Sequence, residues 1–197
     1  HDDLSTSQNF LRLLRSSKQY TEEEARLLDI CMIIQAEHGG GNNSSFTCRV
    51  LSSSGTDTYS AIAGAIGSLK GPKHGGANAK VMGMIDDFKA NLTDITSEKQ
   101  IREHLIKIYR KESYDRTGLV YGIGHAIYTK SDPRAVLLRK NAGILAKEKG
   151  MEDELYMYDL IAKNAIELFS EITGKQKDLA INVDFYSGFV YKMLNIP

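Results

Sequence analysis

The sequence predicts an all-α protein, and three observations carry that prediction. Apolar residues recur at three- and four-residue spacing along most of the chain, and good cap residues precede many of those stretches. No stretch alternates apolar and polar residues between hairpin turns. Internal repeats and low-complexity tracts are also missing. The 197 residues, 42% apolar and 25% charged, suffice for one domain or two small ones with a real core.

Thr21 and Glu24 form a capping box, and Leu27, Leu28, Cys31 and Ile34 follow at the spacing of one buried face. That helix is expected to stop at Gly39-Gly40-Gly41. A second spans Asn42 to Ser54, and a third follows Asp57 as N-cap and closes at Gly71-Pro72. Small residues on the third (Ala61, Gly64, Ala65, Gly67, Ser68) permit close packing on another helix. Further helices are expected at Asn78–Ala90 and at Ser97–Glu112, the latter with Ser97/Gln100 as capping box. Asp132 caps the next, with Pro133 at its first position and Gly150 past its end. Met151–Thr173 carries Leu155, Tyr158, Ala162, Ala165, Ile166 and Phe169 on one face, and a last helix starts at Val183-Asp184 and runs to Leu194.

The charges balance, 25 Lys+Arg against 25 Asp+Glu, so no general attraction to nucleic acid or an anionic membrane exists. The densest basic stretch, Arg102 to Arg116, is interrupted by Glu103, Glu112 and Asp115 and reads as a solvated helix face. No apolar run approaches the roughly 18 residues of a membrane span, and His1-Asp2-Asp3-Leu4-Ser5 is no signal peptide. Cys31 and Cys48 lack any pairing motif, which points to reduced cysteines and a cytoplasmic protein. The missing initiator Met and the end at Asn195-Ile196-Pro197 lead us to expect a piece of something longer.

Chemistry concentrates at glycine joints. Ten of the 17 glycines fall between Gly39 and Gly83, with Gly122 and Gly124 as a second cluster. Three of the five histidines sit beside such joints: His38 before Gly39, His74 before Gly75-Gly76, and His125 after Gly124. A histidine at a helix end flanked by glycine can present its ring to a cleft among bare backbone N–H groups. Singly each is an ordinary surface or capping residue, as His1 and His104 are read to be; three in one setting suggest a shared site. No metal site is expected, since the histidines are far apart and lack HxxxH or HExxH spacing. Gly39–Gly41 is no phosphate loop, with neither GxxxxGK[ST] nor a preceding strand. Asp184 opens the last helix, where a carboxylate is stabilised by the dipole or serves as a general base; its residue pattern leaves both open.

Taken together, Gly71-Pro72-Lys73-His74-Gly75-Gly76-Ala77-Asn78, Gly122-Ile123-Gly124-His125 leading to Asp132-Pro133-Arg134, and Asn182-Val183-Asp184 resemble, in order and spacing, the three catalytic segments of the citrate synthase family. Glu37-His38 followed by Asn42, Asn43 and Ser45-Phe46-Thr47 resembles a fourth. The resemblance covers the chain from about Thr21 onward. It implies that Asp184 removes a methyl proton from acetyl-CoA and that His74 donates a hydrogen bond to the thioester oxygen. It also implies that His125 polarises the ketone of oxaloacetate, and that Arg134 and His38 hold its carboxylates. Tyr121, Gly122, Ile123 and Gly124 would lie against the CoA adenine. Lys130 is the cation at hand for a CoA phosphate, because Thr129 stands where relatives usually carry one.

No cofactor beyond the CoA substrate is implied. The family architecture makes residues 1–74 part of a large domain, 75–178 the small domain and 179–197 the return to the large one. Helices Asn42–Ser54 and Asp57–Leu69 resemble half of a homodimer interface. Two alternatives stay open: a 2-methylcitrate synthase using propionyl-CoA, since one methylene separates the donors by only about 1–3 kcal/mol, and a catalytically silent helical interaction domain.

Overall fold

The computed structural model describes residues 1–36, 41–72, 74–124, 131–174 and 179–196. These form α1 (Thr6–Leu14), α2 (Glu22–Gln35), α3 (Asn43–Ser53), α4 (Thr58–Leu69), α5 (Ala77–Asn91), α6 (Glu98–Tyr109), α7 (Pro133–Glu148), α8 (Glu152–Thr173) and α9 (Asp184–Met193). Among the described residues the extended pairing is confined to one antiparallel bridge, Ile123 with Ile181. The all-α expectation holds. No helix among the described residues is long and apolar enough to cross a membrane.

Several caps are as the sequence indicates. Thr21 and Glu24 satisfy each other's backbone N–H groups, Asp57 accepts from Ser60 N–H at 3.0 Å, and Asp132 accepts from Arg134 N–H at 3.0 Å with Pro133 behind it. Four features differ. Helix α1 was not anticipated, although Ser5 and Gln8 form a complete capping box. Helix α2 ends at Gln35, short of the glycine run. At the start of α6 only half the box exists, because the Gln100 side chain turns away to accept from Thr93 and Asp94 N–H. That helix ends three residues early: Lys111, at φ 64°, donates to Ile108 C=O while Glu112 donates to Lys107 C=O, a Schellman closure with lysine at the left-handed position.

Helix α5 packs on α9, α6 on α8, and both α2 and α9 on α7, with α1 laid on α2. Phe88, Met84, Leu138, Leu145, Phe185, Phe189 and Tyr158 are buried in one core, where the Tyr158 ring centre lies 5.4 Å from Phe185 and 5.2 Å from Phe189. Cys31 lies in this core as expected, and burial pushes its thiol up to about 12. His104 corrects the surface reading: it is 4% exposed, bonded through Nε2 to Asp87 at 2.7 Å and packed edge-on against Phe88. It shares the buried face of Ile101, Leu105 and Ile108 at helical spacing, and the carboxylate that satisfies its ring comes from another helix. Helices α3 and α4 form a hairpin whose outer face is apolar and open, with Phe46 61%, Tyr59 87% and Ile66 61% exposed.

One ion cluster ties the first helices to the rest. Glu24, 3% exposed, accepts from Arg15 Nη1 and Nη2 at 2.6 and 3.1 Å and from Lys149 Nζ at 2.5 Å, and Arg15 Nη2 also donates to Leu194 C=O at 2.8 Å. Burial alone would push the Glu24 carboxyl up, but the bonds from Arg15, Lys149 and Thr21 N–H outweigh it and hold it at about 2. A carboxyl lowered on folding stabilises the native state fully above its ordinary value of 4.5, and that contribution is lost as pH falls toward 2. Glu24→Gln should therefore destabilise by about 1–3 kcal/mol, the loss of charge-assisted hydrogen bonds from the half-buried Arg15 and the more exposed Lys149. Thermal melts from pH 7 down to pH 3 check this: the variant should lose less stability on acidification than the parent, and parallel curves would refute the assignment.

Candidate active site

The site is built where helices begin. After α4 the chain turns through Gly71 to Gly76, with His74 and Gly75 both donating to Gly71 C=O at 2.9 and 3.0 Å. A Cβ on Gly75 would stand 2.1 Å from Leu69 O, so the turn after His74 closes only with glycine. This aims the ring at the start of α3. Ser44 N–H, one of the unpaired donors of that first turn, meets His74 Nε2 at 3.2 Å. A backbone N–H can only donate, so Nε2 is the acceptor and the hydrogen-bond network puts the ring proton on Nδ1. The Ser44 hydroxyl lies 2.7 Å from the same nitrogen and 3.0 Å from Ala65 O, either of which can take its one proton.

Asp184 is the first residue of α9, and Asn182 sets it there. The Asn182 side-chain oxygen accepts from Asp184 N–H at 3.1 Å, and its carbonyl accepts from Phe185 N–H at 3.2 Å. The same residue holds the second glycine segment: its N–H donates to Gly122 O at 3.0 Å and its amide to Gly124 O at 3.3 Å. Gly124 N–H completes the seam to Ala180 O at 2.7 Å. Gly122 has φ 81°, and a Cβ there would sit 2.8 Å from Phe185 Cβ. The segment Tyr121–Gly124 is thus pressed against the start of α9.

His74 and Asp184 line one cavity of about 510 Å³, together with Ser44, Asn78, Arg134 and Tyr191. Its walls include the first turns of α3, α5, α7 and α9. Four helix starts and a guanidinium make a setting that favours anions. Arg134 forms a fork with the fully buried Asp132 carboxylate, Nε to Oδ1 at 3.1 Å and Nη2 to Oδ2 at 2.9 Å, which fixes the plane of the guanidinium at the rim. Tyr121 to Gly124 do not line this cavity; they lie behind Asp184. His38, His125 and Lys130 lie outside the described residues.

Ser44, Asn182 and Ser187 were not given roles from sequence, and each positions a site residue. Ser187 accepts from Asn78 at 2.6 Å, joining α9 to α5 just beyond the His74 turn. A second cavity, about 470 Å³ between α7 and residues 179–181, contains neither His74 nor Asp184. Among the described residues no group of three or more His, Cys, Asp or Glu stands together as metal ligands.

Fold and site define an all-α protein in which a histidine and an aspartate line one cavity walled by helix starts. The family model "Citrate synthase, C-terminal domain" matches residues 1–197, and the chain belongs to that family. The match extends the resemblance back from Thr21 to the first residue. The chain is 36% identical over 197 residues to citrate synthase of Synechocystis sp., covering 100% of this chain and 45% of the relative. It is likewise 36% identical to 2-methylcitrate synthase of Shewanella oneidensis, covering 100% of this chain and 46% of that one. Among solved structures, citrate synthase from Pyrobaculum aerophilum superposes with a TM-score of 0.79 at 28% identity, over 100% of this chain and 45% of that chain. The chain therefore spans about half the length of the relatives it matches.

Proposed function

We propose that the whole protein condenses acetyl-CoA with oxaloacetate to give citrate and CoA. The observation that carries this reading is the convergence of His74 and Asp184 on one cavity walled by helix starts. Asp184 takes a proton from the thioester methyl while His74 Nδ1–H stabilises the charge developing on the thioester oxygen. The enol or enolate carbon then forms a bond to the keto carbon, whose oxygen His125 polarises and protonates. Water finally cleaves the thioester, releasing the CoA thiol. Arg134 and His38 hold the substrate carboxylates, and Tyr121–Gly124 with Lys130 receives the nucleotide portion of CoA. The cavity lies between two lobes in this reading, 75–178 on one side and 1–74 with 179–197 on the other.

The test is CoA thiol release by the whole protein with oxaloacetate and either acetyl-CoA or propionyl-CoA. Faster release from acetyl-CoA is expected. A propionyl-CoA preference would make the protein a 2-methylcitrate synthase, a reading the Shewanella relative supports equally by identity. No release from either would leave the silent interaction domain as the better account.

We also read the α3–α4 hairpin as half of a homodimer interface, because Phe46, Val50, Tyr59, Ile62 and Ile66 present a contiguous apolar face at helical spacing. Sedimentation of the whole protein should show a dimer that Ile66→Glu dissociates. A monomer at micromolar concentration would refute it.

A further inference from the structure

One polar cluster lies outside the cavity of His74 and Asp184. Residues 110–120 lead from α6 to Tyr121, and their backbone is left-handed at Lys111 (φ 64°), Tyr114 (φ 54°) and Arg116 (φ 57°). The first closes α6, but a bulky tyrosine in that region is costly and needs contacts to hold it. Tyr114 OH donates to Lys80 O at 2.9 Å, over a place where Gly83 leaves room: a Cβ there would stand 2.7 Å from that hydroxyl. Asp115 Oδ1 accepts from Thr117 N–H at 3.2 Å and its hydroxyl at 2.7 Å. Asp115 Oδ2 accepts from Tyr121 OH at 2.6 Å and from Lys80 Nζ at 3.0 Å. The Lys80 ammonium stands 5.5 Å from the Tyr121 ring centre and 6.0 Å from that of Tyr114, and the two rings meet edge to face at 5.9 Å.

An isolated surface pair such as Lys80–Asp115 contributes little by itself. What distinguishes this one is its third member. Tyr121 begins the segment that Asn182 stitches to Asp184, and Lys80 lies in the first turn of the helix that follows the His74 turn. Partial burial opposes the Asp115 charge, but the bonds from Tyr121, Thr117 and Lys80 outweigh it and hold the carboxyl well below the usual range. The acceptor is therefore ionised at any working pH.

We infer that Asp115 and Lys80 are positioning residues: they clamp the Tyr121 phenol to α5 and thereby fix the Tyr121–Gly124 backbone that receives the nucleotide end of the acyl-CoA. The ligand named here rests on the function proposed above; the clamp itself does not. In the whole protein, Asp115→Asn should raise KM for acetyl-CoA about threefold to tenfold, the loss of a charge-assisted hydrogen bond. Turnover and KM for oxaloacetate should stay within about twofold. Tyr121→Phe should raise the same KM, and the double variant should be no worse than the worse single one.

Hydrogen exchange at the Gly124 amide, bonded to Ala180 O at 2.7 Å, reads the clamp without reference to activity. It should be faster in Asp115→Asn. Parental exchange at Gly124 would overturn the clamp whatever the kinetics, and an unchanged KM or additive effects would overturn its role in binding. If the parent protein turned over no acyl-CoA, the proposed function would fail while the exchange measurement still decided the clamp.

Discussion

Asp184→Ala should abolish exchange of the thioester methyl protons with solvent. The protein would be incubated in D2O with acetyl-CoA and a keto acid that cannot condense, and deuterium in the methyl group followed by mass. A thioester methyl is a weak carbon acid, so proton removal needs a base already in place; a positioned base contributes about 10²–10⁴-fold. The alternative role, a first-turn carboxylate that only stabilises α9, makes a different prediction. It is worth a few tenths to about 1 kcal/mol of stability and nothing in exchange. The Asn182 side-chain bond to the Asp184 backbone N–H remains after the substitution, so the helix start should survive it. Lost exchange with a melting temperature near the parent's assigns the base. Undiminished exchange would remove Asp184 from that role.

Much of the helical frame was legible because caps and apolar spacing are local signals. Thr21 with Glu24, Asp57 and Asp132-Pro133 each satisfy a helix start using residues within a few positions of it. What escaped was non-local or carried by backbone. His104 stands on the apolar face of Ile101, Leu105 and Ile108, which is a local sign, but the Asp87 carboxylate and Phe88 ring that receive it come from another helix. The early end of α6 puts a lysine where glycine is the usual marker. At the site, His74 and Asp184 stood out as members of recognisable segments, yet neither periodicity nor spacing says that residues 110 apart in sequence face one cavity. Ser44 was invisible for a plainer reason. Its N–H to His74 is a backbone group every residue but proline possesses, so no side chain advertises it. Gly122 was legible as a joint, and only the packed structure explains its need: Phe185 fills the space a Cβ would take.

That backbone bond yields the second large effect. His74→Ala should lower turnover about 10²–10³-fold, the loss of one donor at a developing oxyanion. Steady-state rates at saturating acetyl-CoA and oxaloacetate measure it, and a near-parental rate would refute the role. A histidine that merely closed the turn would be replaceable at little cost, because Gly75 rather than the imidazole makes the turn possible. The donor role further requires the proton on Nδ1, which Ser44 N–H enforces by occupying Nε2 at 3.2 Å. Ser44→Ala keeps that N–H and should retain most of the rate. Ser44→Pro deletes it at a position in the first turn of α3, where proline is tolerated. It should approach the His74→Ala loss while His74 is still present. Equal rates for the alanine and proline variants would show that the tautomer is set elsewhere.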